Sequence, residues 1–243
     1  MGSPILYKVK AIRQGRMLTF ALVAWLAALL AGCSSETYDA GDGTYSLLRA
    51  DFGVATTNAS KAFTYFLADD GTEVQLLSPA TPAWALVSDT TYRVLFYYNV
   101  ADATGSQLQG KYVTSAQVPV LEPYASVLFE EIKTDPVVFE SLWMSASGKY
   151  LNLGFSIKTG QADGADNVQT MALVDLGTTE NADGTRCRKW QFYHDQGGVP
   201  EYYSSRKYAS IPMDGLQEDS VCITLNSYEG TVSRTFAIPL VVY

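Results

Sequence analysis

Residues 150–158 alternate strictly in polarity. Leu151, Leu153, Phe155 and Ile157 fall on one face of an extended chain, and Tyr150, Asn152, Ser156 and Lys158 fall on the other. A period of two is incompatible with a helix, whose faces repeat every 3.6 residues, and it marks a strand with one buried and one wet face. The same signature recurs along most of the chain as short apolar runs between turn residues, with no helical period. Candidate strands at 46–57, 61–68, 73–77, 92–99 and 112–121 make five in about 75 residues, a count that suits a small OB-like barrel. Asp69-Asp70-Gly71-Thr72 joins the second and third as a hairpin turn. Loops are expected at 78–82 and 101–110. Glu122-Pro123 marks a boundary, and a second series follows at 137–145, 149–158, 168–176, 186–194, 202–211, 221–228 and 232–240. Seven strands with turn signals every 8–12 residues indicate an antiparallel immunoglobulin-like β-sandwich. The fold class is therefore all-β, with an OB-like domain over 45–122 and a β-sandwich domain over 123–243.

The N-terminal region follows other rules. Lys8, Lys10, Arg13 and Arg16 precede an apolar run from Met17 to Ala31, short of the roughly 20 residues a spanning helix needs. The run ends in Leu30-Ala31-Gly32-Cys33, the lipobox pattern in which small residues admit the signal peptidase and the cysteine thiol takes the lipid. Residues 1–32 read as a lipoprotein signal peptide, and Cys33 as the lipid attachment site. Each buried CH₂ of the acyl chains adds about 0.8 kcal/mol of membrane affinity. Residues 33–44 are small, acidic and glycine-containing, as suits a flexible tether. Ser34, rather than an aspartate, follows the cysteine and favours delivery to the outer membrane.

Loss of the leader removes four basic residues and no acidic ones, leaving 13 Lys and Arg against 25 Asp and Glu, a formal charge of −12. Such a surface repels nucleic acid and anionic lipid, so the expected contact with the membrane is through the N-terminal lipid alone. Two cysteines remain, Cys187 and Cys222, outside any CxxC or metal-ligand spacing. Strand alternation places Cys187 with Lys189 and Gln191, and Cys222 with Thr224 and Asn226. Both then sit on polar faces, where either a cross-strand disulfide or two free thiols fit.

Several stretches together resemble the NigD-like lipoproteins, a family of Gram-negative gut and oral anaerobes. They are Gly41–Ser46, Asp69-Asp70-Gly71, Asp89-Thr90-Thr91-Tyr92-Arg93 running into Leu95–Asn99, Lys149–Leu153, and His194-Asp195-Gln196-Gly197-Gly198-Val199-Pro200-Glu201-Tyr202-Tyr203-Ser204. The resemblance implies an N-terminal OB domain followed by a C-terminal β-sandwich, in agreement with the strand count. It also implies an immunity or accessory role through the bacteriocin locus that names the family. It transfers no catalytic or binding residue.

The last stretch holds the chain's one histidine. His194 and Asp195 point to opposite faces of a strand and form no dyad. Glu201, across an expected hairpin built on Gly-Gly-Val-Pro, is the better partner, so His194, Glu201 and Tyr202 form a candidate surface site. No Gly-x-Ser-x-Gly elbow or His-Glu-x-x-His accompanies them. Asp69-Asp70, Asp39/Asp42 and Asp163/Asp166 lack the alternating spacing of a calcium loop, and read as acidic turns and linkers. No motif calls for a metal or cofactor. The 16 tyrosines, with the Tyr97-Tyr98 and Tyr202-Tyr203 pairs, leave a glycan-stacking surface open beside a structural use. Thr90 and Ser220, each after an aspartate, match a short periplasmic O-glycosylation acceptor.

The functional expectation is a non-enzymatic, outer-membrane-anchored binding module for a protein or glycan partner. Alternatives are a bacteriocin-immunity or stress-protective envelope lipoprotein, and a carboxylate-based hydrolase. One mass spectrum of the native protein tests both modifications. Acyl mass should be present and vanish in Cys33→Ala, and hexose mass should map to Thr90 or Ser220. Acyl label retained by the variant would sink the Cys33 assignment, and a mass without hexose would sink the glycosylation.

Overall fold

The computed structural model describes residues 48–102, 108–161 and 167–238. Cys33 with its lipobox, Asp39/Asp42 and Asp163/Asp166 lie outside them. The first five strands are β1 (Leu48–Thr56), β2 (Phe63–Ala68), β3 (Glu73–Ala80), β4 (Thr91–Asp102) and β5 (Leu108–Gln117). They close a barrel in the order β1-β2-β3-β5-β4, with β4 returning to pair antiparallel with β1. The β3–β5 ladder is parallel and the others antiparallel. Phe63, Phe66, Phe96 and Tyr98 fill the interior, and Phe66 stacks on Phe96 at 4.7 Å between centroids. The Tyr98 hydroxyl donates to Asp51 Oδ2 at 2.8 Å. Burial first, then that bond, raises its pKa far above the usual phenol range. Gly53 is required where β1 crosses β2, because a Cβ there would lie 2.1 Å from the Leu67 carbonyl oxygen.

Two expected loops are shorter than the sequence suggests. β3 runs through Pro79, which lacks a backbone N–H but stands beyond the Val74–Leu76 stretch that β5 pairs with. β4 extends to Asp102 and β5 starts at Leu108, narrowing the 101–110 loop.

The second series forms a two-sheet sandwich. Its strands are β6 (Pro123–Ala125), β7 (Val138–Met144), β8 (Tyr150–Thr159), β9 (Thr170–Glu180), β10 (Arg186–Asp195), β11 (Tyr203–Pro212), β12 (Ser220–Ser227) and β13 (Gly230–Ala237). One sheet has the order β13-β12-β10-β9-β6 and the other β11-β8-β7. The β10–β12 and β6–β9 ladders are parallel, a departure from the all-antiparallel expectation. Leu153, Phe155 and Ile157 of β8 meet Phe192 and Leu225 from the facing sheet, as the alternation requires. No helix among the described residues is long and apolar enough to cross a membrane.

The outer face of the three-stranded sheet meets the barrel. Phe52 of β1 packs edge-on against Trp143 and Tyr208, at 5.4 and 5.3 Å between centroids. At the centre of this contact the Arg93 side chain, 1% exposed, forks onto Asp69 with bonds of 2.5 and 2.7 Å. It also donates to Asn152 Oδ1 at 3.0 Å and to Ser210 Oγ at 3.0 Å, and lies 4.2 Å from the centroid of the Tyr150 ring. Asp69 thus serves as the counter-ion of a buried guanidinium. Removing one partner of a buried ion pair costs about 3–5 kcal/mol because the other charge is left uncompensated. Arg93→Met should lower the unfolding free energy by about 3 kcal/mol or more in urea titration. An unchanged midpoint would show that the barrel holds to the sandwich without this pair.

Candidate functional site

The structure disperses the histidine site. His194 is fully buried, with Nδ1 3.0 Å from the Asp135 carbonyl oxygen and Nε2 enclosed without a partner among the described residues. It is a core residue of β10, not a surface group. The segment after it is not a hairpin, since β10 lies in the five-stranded sheet and β11 in the other. The chain crosses between sheets there, with Gly197 and Gly198 at φ of 58° and 72° and Asp195 Oδ1 accepting the Gly197 N–H at 2.8 Å. Gln196 ties the crossing down, donating from Nε2 to the carbonyls of Lys158 and Val199.

Glu201 instead joins Lys158 and Tyr228. Its Oε2 accepts the Tyr228 hydroxyl at 3.0 Å and pairs with Lys158 Nζ at 3.2 Å, while Lys158 lies 4.1 Å from the Tyr228 ring centroid. Burial, then the bond to Glu201, pushes the Tyr228 pKa up to about 12. These groups satisfy one another. Tyr202 lies over Gly160, where a Cβ would stand 2.6 Å from the ring, and is 70% exposed. Tyr203 is exposed beside it, because Tyr202 precedes the strand and escapes its alternation. In the other pair Tyr98 is buried and Tyr97 half-buried.

The cysteines do not pair. A bulge between Arg188 and Trp190 shifts the phase of β10, so Cys187 turns inward with Trp190. Cys222 stays on the outer face, its Sγ 3.2 Å from Ser233 Oγ, and both thiols are free. Thr90 is half-buried and donates its hydroxyl to the Ser88 carbonyl, while Ser220 lies between Cys187 and Ala237 in the sheet.

A concavity lies elsewhere, at the barrel–sandwich junction. Residues 118–121 leave the barrel and run beside β11. The Val118 N–H donates to the Arg93 carbonyl, the Ser210 N–H to the Pro119 carbonyl, and the Leu121 N–H to the Ser210 carbonyl. Below Ser210 the linker and β11 part, opening a crevice of about 340 Å³. Leu95, Val118, Leu121, Phe155, Met171 and Ala209 give it an apolar wall, and Arg206 and Lys207 stand at its margin. Arg206, with a 64% exposed side chain, is held by Glu140 at 2.6 Å, and the Ser156 hydroxyl donates to the same carboxylate at 2.6 Å. Lys207 has no ion-pair partner among the described residues. The arrangement offers apolar contact and positive charge, the features of a binding crevice. Sequence reasoning passed over it because its residues come from five separate segments. The adjacent Arg206-Lys207 pair in so acidic a chain was the available signal.

Comparison with known proteins supports this architecture. Residues 120–238 match the model of the NigD-like C-terminal β-sandwich domain. Similar solved structures include a protein of unknown function, DUF1344, from Bacteroides vulgatus, 14% identical, with a TM-score of 0.58 over 79% of this chain and 92% of that one. A NigD-like immunity protein from Bacteroides caccae is 17% identical, with a TM-score of 0.57 over 79% and 97%. A candidate lipoprotein from Bacteroides fragilis is 10% identical, with a TM-score of 0.53 over 80% and 100%. At these identities the likeness is one of fold. No curated protein sequence matches the chain.

A carboxylate beside the margin of the crevice is held in its charged form. The Ser156 hydroxyl, then Arg206, hold the Glu140 carboxyl below its ordinary 4.5. A depressed carboxylate contributes stability above its unfolded value and loses it as pH falls through the folded one. The stability difference between the wild type and Glu140→Gln should therefore shrink as urea titrations move from neutral pH to below 4.5. A difference constant with pH would contradict the assignment.

Proposed function

We propose that this chain, which belongs to the NigD-like family through residues 120–238, is a lipid-anchored protein of the outer membrane that captures a protein partner without acting on it chemically. The crevice at the barrel–sandwich junction carries the reading. Its apolar wall suits hydrophobic side chains better than sugar hydroxyls, which would lose hydration without gaining hydrogen bonds. This turns the choice between protein and glycan toward protein. The lipobox at Leu30–Cys33 supports the anchor, and the fold likeness to the candidate lipoprotein agrees with it. The crevice lining brings no nucleophile and base together, which supports capture over chemistry.

The alternative of the same build is an immunity protein, in which the captured partner would be a toxin; the B. caccae protein of the same fold is described as a NigD-like immunity protein. This alternative differs in the identity of the partner and not in the site.

The crevice must be open to ligands for either role. A hydrophobic reporter dye, phenylnaphthylamine, should brighten on adding the lipid-free chain 34–243, whose described residues form one compact unit. Ala116→Trp, which fills the crevice, should abolish most of the signal while leaving the circular dichroism unchanged. Equal brightening by both proteins would remove the crevice as the site.

A further inference from the structure

The crevice has a polar side that its apolar lining does not reveal. β11 is an edge strand of the three-stranded sheet, paired with β8 on one side alone. Ser210 directs its N–H and C=O away from β8, to Pro119 and Leu121 of the linker. Backbone groups on one strand repeat direction every second residue, so Tyr208, Arg206 and Ser204 direct theirs the same way. The linker has left the edge by then, since Val118 is bonded to Arg93 of the barrel. Beyond Ser210, no main-chain partner meets this side of β11 among the described residues. The open edge and the apolar wall therefore bound the same space.

From this we infer that the crevice receives an extended peptide segment of the partner, added as a strand along β11 in line with residues 119–121. The linker already shows that this edge accepts a parallel strand, through the Val120–Ser210 bridge. A segment continuing that line would bond to Tyr208, Arg206 and Ser204 and place one alternate set of side chains against Leu95 and Val118, with the other set on the side of Lys207.

The charges specify the partner further. Lys207 lies on the inward-facing side of β11, opposite Phe155 in register, yet at the sheet margin, where its side chain reaches solvent. An inward-pointing lysine on an edge strand discourages self-pairing, because a second uncharged strand would bury an uncompensated ammonium. A segment carrying a carboxylate beside its apolar residues removes that penalty. Arg206, next along the edge and neutralised by Glu140, adds little to the choice. The ligand class is thus an extended segment alternating apolar and acidic residues.

This inference rests on the crevice being the binding site, and the test separates the two. The probe is a fluorescein-labelled hexapeptide of alternating valine and aspartate, read by polarisation against the acylated protein held in nanodiscs. Binding is expected, with Lys207→Glu weakening it by about tenfold or more and a lysine-for-aspartate peptide showing the reverse preference. N-methylation of one alternate set of peptide amides should abolish binding, and methylation of the other set should leave it intact. Equal effects of the two sets would overturn strand addition. Dodecanoate binding to the crevice without peptide binding would overturn the peptide inference and keep the site. Failure of dye, dodecanoate and peptide alike would remove both.

Discussion

A guanidinium enclosed between the barrel and the sandwich imposes more on this molecule than any apolar contact does. Arg93 sits on a barrel strand, and its donors are met from both sides of the junction: Asp69 from the barrel, Asn152 and Ser210 from the sandwich. Hydrophobic surfaces tolerate sliding, because their attraction is not directional. A forked ion pair with two further hydrogen bonds admits one arrangement. Phe52 against Trp143 and Tyr208 supplies area around it, and the polar cluster supplies the register.

Ser210 links that register to the crevice. Its hydroxyl accepts from Arg93 and donates to Asn152 at 2.7 Å, and its main chain holds the linker at Pro119 and Leu121. Arg93 in turn holds Val118 through its carbonyl. The point at which the linker parts from β11 is therefore set by the same two residues that dock the barrel. The crevice opens immediately beyond that point, so its shape follows from the packing of barrel on sandwich. This explains why its lining draws on both sets of strands and on the segment between them.

Much of the architecture was legible because burial on one face of a sheet writes a period of two into the sequence. Five barrel strands and seven sandwich strands were found near their observed positions. Which strands pair was not legible, because apolar alternation records the face and not the neighbour. The segment around Gly197-Gly198 has the residues of a hairpin and serves as a crossing between sheets, and that misplaced Glu201 opposite His194. The Arg188–Trp190 bulge, which inverts Cys187, leaves no compositional mark. Asp69-Asp70 reads as an acidic turn, and only the fold shows a buried cation waiting for Asp69. Arg93, within Tyr92-Arg93-Val94-Leu95-Phe96, was the most informative charge in the barrel sequence, since a strand that apolar seldom carries an arginine without a buried partner.

Lys207 shows how protection and recognition can reside in one residue. An exposed edge beside an apolar wall is a hazard for any protein concentrated on a membrane, because neighbouring copies can pair edge to edge. The chain is acidic, with a formal net charge of −8, and one would expect acidic residues at the edge as well. Instead two cations stand there, one already matched by Glu140 and one unmatched. A lysine excludes a neutral or basic strand through the desolvation of its ammonium and admits an acidic one. The net negative charge of the chain has the opposite effect at long range, disfavouring acidic segments where no such cation stands. A single lysine thereby gains discrimination from the charge of the whole chain, and the crevice becomes the place where an acidic, extended partner meets attraction instead of repulsion.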